Sequence, residues 1–224
     1  AGVFVYTHYS KDKLSLSGGL RFDTRHVEGK AMTVDGEAKF NQFSNNFSNI
    51  SGSIGMAYQA ADALTFKANI ARGFRAPNFA ELASNGAHEG TSRYEVGDNN
   101  LKSEVSLQAD AGIELATEHI SLSASIFYNN ITHFIFYEKV LNGTGQDSIL
   151  TDAETGDELN VYRFDQRNAH LYGTEFHIDI HPHPLVWLHF ENTFSYTKGQ
   201  FNNALAGTKN LPFIPAARLV SELK

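Results

Sequence analysis

The sequence predicts an all-β protein, an antiparallel transmembrane β-barrel, and three observations carry that prediction. Apolar and polar residues alternate over runs longer than ordinary sheet strands. One of the two alternate faces is free of charge through several of these runs, and short connections alternate with long ones along the chain.

The clearest run is EVSLQADAGIELA. Val105, Leu107, Ala109, Ala111, Ile113 and Leu115 are apolar, while Ser106, Gln108, Asp110, Gly112 and Glu114 between them are polar or small. The next run sets Ile120, Leu122, Ala124, Ile126 and Tyr128 against Ser121, Ser123, Ser125 and Asn129, with Phe127 as the intruder. Leu64, Phe66, Ala68 and Ile70 alternate with Thr65, Lys67 and Asn69, and Leu14, Leu16, Leu20 and Phe22 with Ser15, Ser17, Arg21 and Asp23. The period is two, that of a strand whose successive side chains point to opposite faces.

Taken in order, the runs predict strands near 2–9, 14–27, 46–59, 64–74, 104–116, 119–138, 161–181, 185–199 and 211–224. SKDK, AADA, ATEH and HPHP read as tight connections, and 28–45, 75–103, 139–160 and 200–210 as long ones. Bacterial membrane barrels sort their connections in this way, short turns in the periplasm and long loops outside the cell. A soluble β-sandwich has typical strands of about five or six residues and no reason to sort its connections by length. A charge at mid-membrane on the outward face costs about 2 to 4 kcal/mol, so the clean face has a physical cause.

Composition agrees. The chain has 224 residues, 17 Phe, 9 Tyr and no Cys, which excludes disulfides, thiolate metal sites and cysteine nucleophiles. Its net charge of -7 argues against a nucleic-acid partner. There is no run of apolar residues long enough for a membrane-spanning helix. Phosphate-loop, dinucleotide, nucleophile-elbow and zinc-protease patterns are missing, so the chain reads as no enzyme. Because bacterial single-chain barrels have even strand numbers, about nine strands are expected to be a portion of a larger barrel, with residues 1–224 all belonging to that wall.

The long connection after LTFKANIARG carries GFRAPNFAEL, then YEVGDNNLKSE, then the alternating strand from Glu104; later comes NLPFIPAARL. These three ordered motifs resemble the barrel signature of TonB-dependent outer-membrane receptors, a FRAP box, an Asn-Pro-Asn-Leu box with Lys-Pro-Glu, and a proline-bearing strand entry. Asp98-Asn99-Asn100-Leu101 stands where Asn-Pro-Asn-Leu is common, and Ser103 replaces a proline. The resemblance implies a barrel of about 22 strands closed by a plug domain. It also implies ligand-gated active uptake of an iron chelate (siderophore), haem or another scarce metal complex. The implied partners are outer-membrane lipid and lipopolysaccharide, the cargo, and the TonB energy-coupling complex, and the implied location is the bacterial outer membrane. Haem or a metal ion would enter as cargo, not as a resident cofactor. No plug or TonB box is expected within these residues, so the portion is not expected to transport alone. A passive porin or structural barrel is the rival reading.

Within the motif, Pro77 withholds a ladder hydrogen bond, so pairing is expected to stop near Arg75, with a helical turn at 77–83. Arg75 is expected to clamp a loop carbonyl or a carboxylate such as Glu81 or Glu104, with ligand contact as its second role. By the family resemblance, His88, between the two boxes, is a candidate ligand for haem iron or a metal; Glu89, Tyr94, His133 and His170 are candidates to complete the site. Tyr94 and Tyr162 are the aromatic residues placed to meet cargo; Phe134, Phe136, Tyr137, Tyr196 and Phe201 read as girdle residues. His181 and His183 read as turn residues in a His-X-His pattern that also suits metal. Glu175, His177, Asp179, His189 and Glu191 read as wet inner wall, and the acidic loop 139–160 as solvated, with weak Ca²⁺ contact behind it.

Overall fold

A computed structural model describes every residue except 35, 36, 41, 89, 153, 154 and 186, and leaves the side chains of 34 and 37–40 undescribed. The elements run β1 (Gly2–Lys11), β2 (Leu14–Gly29), β3 (Met32–Val34), β4 (Glu37–Phe40), β5 (Phe43–Ala61), β6 (Leu64–Arg75) and α1 (Phe79–Ala83). They continue with β7 (Asn85–Ala87), β8 (Arg93–Val96), β9 (Glu104–Ala116), β10 (Ile120–Lys139) and β11 (Ile149–Thr151). The last four are β12 (Glu158–Ile180), β13 (Phe190–Leu205), β14 (Thr208–Asn210) and β15 (Arg218–Leu223).

Nine of these strands form one antiparallel wall in the order β1, β2, β5, β6, β9, β10, β12, β13, β15, each paired with its neighbours. The register sets the two faces. Ile70 pairs with Ala109, Ala109 with Tyr128 and Ala111 with Ile126, so the uncharged alternation of each strand falls on one side. Leu107 and Ile126 there are 52% and 63% exposed in the isolated chain, which is the side a bilayer would cover. The opposite side is polar, with Lys67 bound to Glu114 and Asn69 to Asp110 across strands. Arg72 and Lys198 are exceptions on the apolar side, by register with Leu107 and Tyr172; both lie toward the long-loop end, where a long basic side chain can reach the interface. Arg72 donates to the Ile50 carbonyl.

Several boundaries differ from the sequence reading. The run 185–199 begins as a strand only at Phe190, and 211–224 only at Arg218. Leu185 to Leu188 are apolar without alternating, and they follow two prolines that cannot donate to a ladder. The HPHP connection is therefore longer than a tight turn, from His181 to His189. The long connections carry structure of their own: the β3–β4 hairpin, α1 with the β7–β8 hairpin, β11 folded onto β12, and β13 running on through 200–205 to meet β14. Asn168, opposite the register shift between Ile131 and Phe134, accepts from the His133 backbone N–H, and His133 adopts a left-handed φ of 57°.

Two apolar clusters lie at the long-loop end. One joins Val27, Phe43 and Phe47 of the wall to Ala76, Leu82, Ala83 and Leu101 of the connection 76–103, with Ile135. The other joins Phe136, Ala169, Phe201 and Leu211. Phe136 and Phe201, expected as girdle residues, are thus buried packing residues, 7% and 2% exposed. Among the described residues no helix is long and apolar enough to cross a membrane, which has no bearing on strands.

Candidate ligand-binding site

The connection 76–103 is built by four local devices. Pairing of β6 stops at Arg75, and Pro77 is fully buried. Asn78 caps α1 through a capping box: its side chain accepts from the Glu81 N–H at 2.8 Å, and the Glu81 carboxylate accepts from the Asn78 N–H at 2.8 Å. The helix is two residues shorter at its start than expected, because Asn78 serves as the cap. The chain then returns against the helix, with Gly97 N–H donating to the Ser84 carbonyl and Asp98 N–H to the Glu81 carbonyl. Asp98 also turns the chain by accepting from the Asn100 N–H at 2.9 Å, which does the work of a proline turn at this box, and Leu101 beyond it is buried.

Arg75 ties this loop to the wall. Its Nη1 is 2.8 Å from both oxygens of Glu81 and its Nη2 is 3.2 Å from Glu104 of β9, the two carboxylates expected from the sequence. Glu104 also accepts from the Ile135 N–H at 2.9 Å, so one carboxylate links β6, β9 and β10.

The tip of the loop is the β7–β8 hairpin, whose second strand lies parallel to β12 with Arg93 opposite Asn160 and Val96 opposite Arg163. His88 sits where that hairpin turns, its N–H donating to the Arg93 carbonyl. Its ring Nδ1 lies 3.4 Å from Glu95, a buried carboxylate that also faces Arg93 at 3.8 Å. Glu95 was not among the sequence candidates, and the signal for it was the local two-strand geometry that folds position 95 back onto 88. His133 stands at the register shift of β10, where its backbone N–H, not its ring, donates to Asn168, and the His170 ring is engaged with Asn202 at 3.0 Å and against the Tyr128 ring. Tyr94 donates its phenol to Asn85 at 2.8 Å, and partial burial pushes its pKa above the ordinary tyrosine value. Glu89 lies outside the described residues.

Arg93 is the second residue that sequence reasoning passed over. Its guanidinium stands 4.9 Å from the Tyr137 ring centre and 5.7 Å from that of Tyr162. Tyr137 contacts Tyr162, Phe164 and Phe213 edge-on or tilted, and Phe213 is 83% exposed. Tyr137 belongs to this cluster, not to a girdle. The arrangement offers a cation among aromatic rings at the long-loop end, suited to an anionic or aromatic small molecule.

Of the polar residues expected on the inner wall at the opposite end, Glu175, His177, Asp179 and Glu191 lie in the ladder, with Asp179 opposite Glu191 and His177 opposite Thr193, whereas His189 precedes β13. In the acidic loop, Lys139 pairs with Asp147, which holds the Lys139 ammonium above the usual lysine range.

Comparison with known proteins bears on this fold. Over 99% of its length the chain matches the copper transporter OprC at a TM-score of 0.77 and 19% identity, covering 32% of that chain. It matches a double mutant of the Serratia marcescens hemophore receptor HasR, in complex with its hemophore HasA and heme, at a TM-score of 0.70 and 13% identity, covering 40% of that chain. The ferric yersiniabactin uptake receptor FyuA from Yersinia pestis matches at 0.63 and 16% identity, with 30% of it covered. The chain thus spans well under half the length of these structures. The profile of the family described as "TonB dependent receptor-like, beta-barrel" matches residues 1–222, and the chain belongs to that family.

Proposed function

We propose that this chain is part of the wall of a ligand-gated active transporter of the bacterial outer membrane, whose cargo is a ferric chelate. Short-turn ends face the periplasm and long loops face outward. Energy reaches it through the TonB coupling complex by segments outside these residues. The solved relatives include proteins named for copper, ferric yersiniabactin and heme, so the scarce-metal class fits the family.

The observation that carries the choice of cargo is the Arg93 cluster. A ferric chelate already saturates its iron, so what it needs from a receptor is a cation and aromatic faces, and Arg93 with Tyr137 and Tyr162 supplies both. Haem or a bare ion needs instead a ring nitrogen as ligand; His88 turns its Nδ1 toward the Glu95 carboxylate, which leaves Nε2, so His88→Ala is the variant that separates those cargoes from a chelate. Tyr94 lines the same hairpin as Arg93 and is a cargo contact in this reading. Arg75 spends its terminal nitrogens on Glu81 and Glu104 and acts by positioning the loop. His88 lies at the hairpin tip beside the cargo, and in this reading neither it nor Glu89 ligates the metal.

The test is uptake of radiolabelled iron by cells expressing the intact receptor, offered as several ferric siderophores, as haem and as free salts. Energy-dependent uptake of at least one ferric chelate, lost on deleting the TonB coupling protein, supports the reading. Uptake that continues unchanged without TonB indicates a passive pore and refutes it.

A further inference from the structure

At the opposite end of the wall, Asp179 at the end of β12, His181 just after it and His189 just before β13 bring one ligand atom each to within 4.8 Å of one another. The Asp179 Oδ2 is 2.9 Å from His189 Nδ1 and 3.4 Å from His181 Nδ1. The two imidazoles stack at 5.4 Å between ring centres, with their planes 30° apart. Around a tetrahedral ion with bonds near 2.0 to 2.1 Å, neighbouring donor atoms lie about 3.3 Å apart, so this set needs little movement to close on a metal.

Two further facts point to a ligand. The other carboxylate oxygen of Asp179 and the Nδ1 of His181 are both buried, and among the described residues neither has a hydrogen-bond partner. Unsatisfied buried polar atoms are uncommon in a native fold and unfavourable, and here two lie in one place. The neighbouring charge is otherwise occupied: Glu191, opposite Asp179 in the ladder, is bound by Lys224 at 2.8 Å. His183 turns its ring toward His119 instead, at 6.1 Å. The imidazole stacked on His181 is therefore not that of His183 in the His-X-His pattern but that of His189, brought round by the connection.

We infer that Asp179, His181 and His189 form a binding site for a divalent first-row transition ion at the short-turn end of the wall, on its polar face. Two imidazoles and one carboxylate suit Zn²⁺, Cu²⁺, Ni²⁺ or Co²⁺, and leave a fourth position for water or a small anion. Mg²⁺ and Ca²⁺, which prefer all-oxygen shells, are excluded by the two imidazoles. The site does not depend on the cargo reading, since it stands at the other end of the strands from Arg93.

The intact receptor, purified in detergent without a histidine tag and stripped with chelator, is dialysed against Zn²⁺ and its metal content measured. One Zn²⁺ per chain is expected for wild type and for His88→Ala, and at least about tenfold weaker binding for Asp179→Asn, His181→Gln and His189→Gln. His189→Gln keeps a donor toward Asp179, so folding is retained while the ligand is lost. Wild type loaded with Co²⁺ should show the intense visible bands of a four-coordinate site, a readout that needs no variant. No stoichiometric Zn²⁺ in wild type, binding unchanged in all three variants, or a Co²⁺ spectrum like that of the hydrated ion would each overturn the assignment.

Discussion

Arg75 and Glu81 meet in a bidentate contact in which one guanidinium nitrogen lies 2.8 Å from each carboxylate oxygen, across the buried turn of Ala76 and Pro77. The same carboxylate closes the capping box of α1, so one side chain holds both the helix start and the loop's anchor to the wall. Removing Arg75 leaves Glu81, only 10% exposed at its side chain, without its cation. Arg75→Ala should destabilise the barrel by about 1 to 3 kcal/mol, below the cost for a fully buried pair because Arg75 is partly solvated. Thermal unfolding of the intact receptor checks this, and cargo affinity should change less than stability.

A second expectation concerns Gly97, where the chain returns against α1. A Cβ there would lie 2.6 Å from the Ala83 amide nitrogen and 2.7 Å from the Leu82 carbonyl carbon, both backbone atoms that cannot swing aside. Gly97→Ala should cost about 1 to 3 kcal/mol of local stability. Limited proteolysis should cut the variant within 76–103 faster than wild type, while cleavage at the short-turn end is unchanged.

The register can be read directly. Leu107 and Gln108 are neighbours on β9 and point to opposite sides of the sheet. A spin label at 107 in the intact receptor in lipid should be reached by oxygen, and one at 108 by a water-soluble relaxant. Equal access of the water-soluble agent to both would mean that the register is wrong.

What was legible in the sequence was whatever depends on near neighbours. The alternation through Leu107, Gln108 and Ala109 assigns the faces because side chains along a strand alternate whatever lies beside it. Pro77 announces the end of a strand and a helical turn beside it from its own backbone preference, whereas the cap at Asn78, which starts the helix two residues later, was not read. Arg75 could be paired with Glu81 and Glu104 because both lie at the edges of the same connection. Contacts made across the fold were not legible. The parallel pairing of Arg93 with Asn160 joins two loops far apart in sequence, and the Arg93–Tyr137–Tyr162 cluster exists only once that pairing is made. Asp179 and His189 meet across a connection whose apolar residues Leu185 to Leu188 read as the beginning of a strand. The left-handed backbone at His133 has no local signal such as glycine.

Cargo recognition by the Arg93 cluster is decided by ligand binding to the intact receptor, with ferric siderophores, haem and Zn²⁺ titrated into wild type, His88→Ala and Arg93→Ala. Saturable binding of at least one ferric chelate is expected, weakened about tenfold or more in Arg93→Ala, equivalent to about 1.4 kcal/mol or more, and altered only slightly in His88→Ala. A haem Soret shift, or stoichiometric zinc, that disappears in His88→Ala while Arg93→Ala behaves as wild type would contradict it.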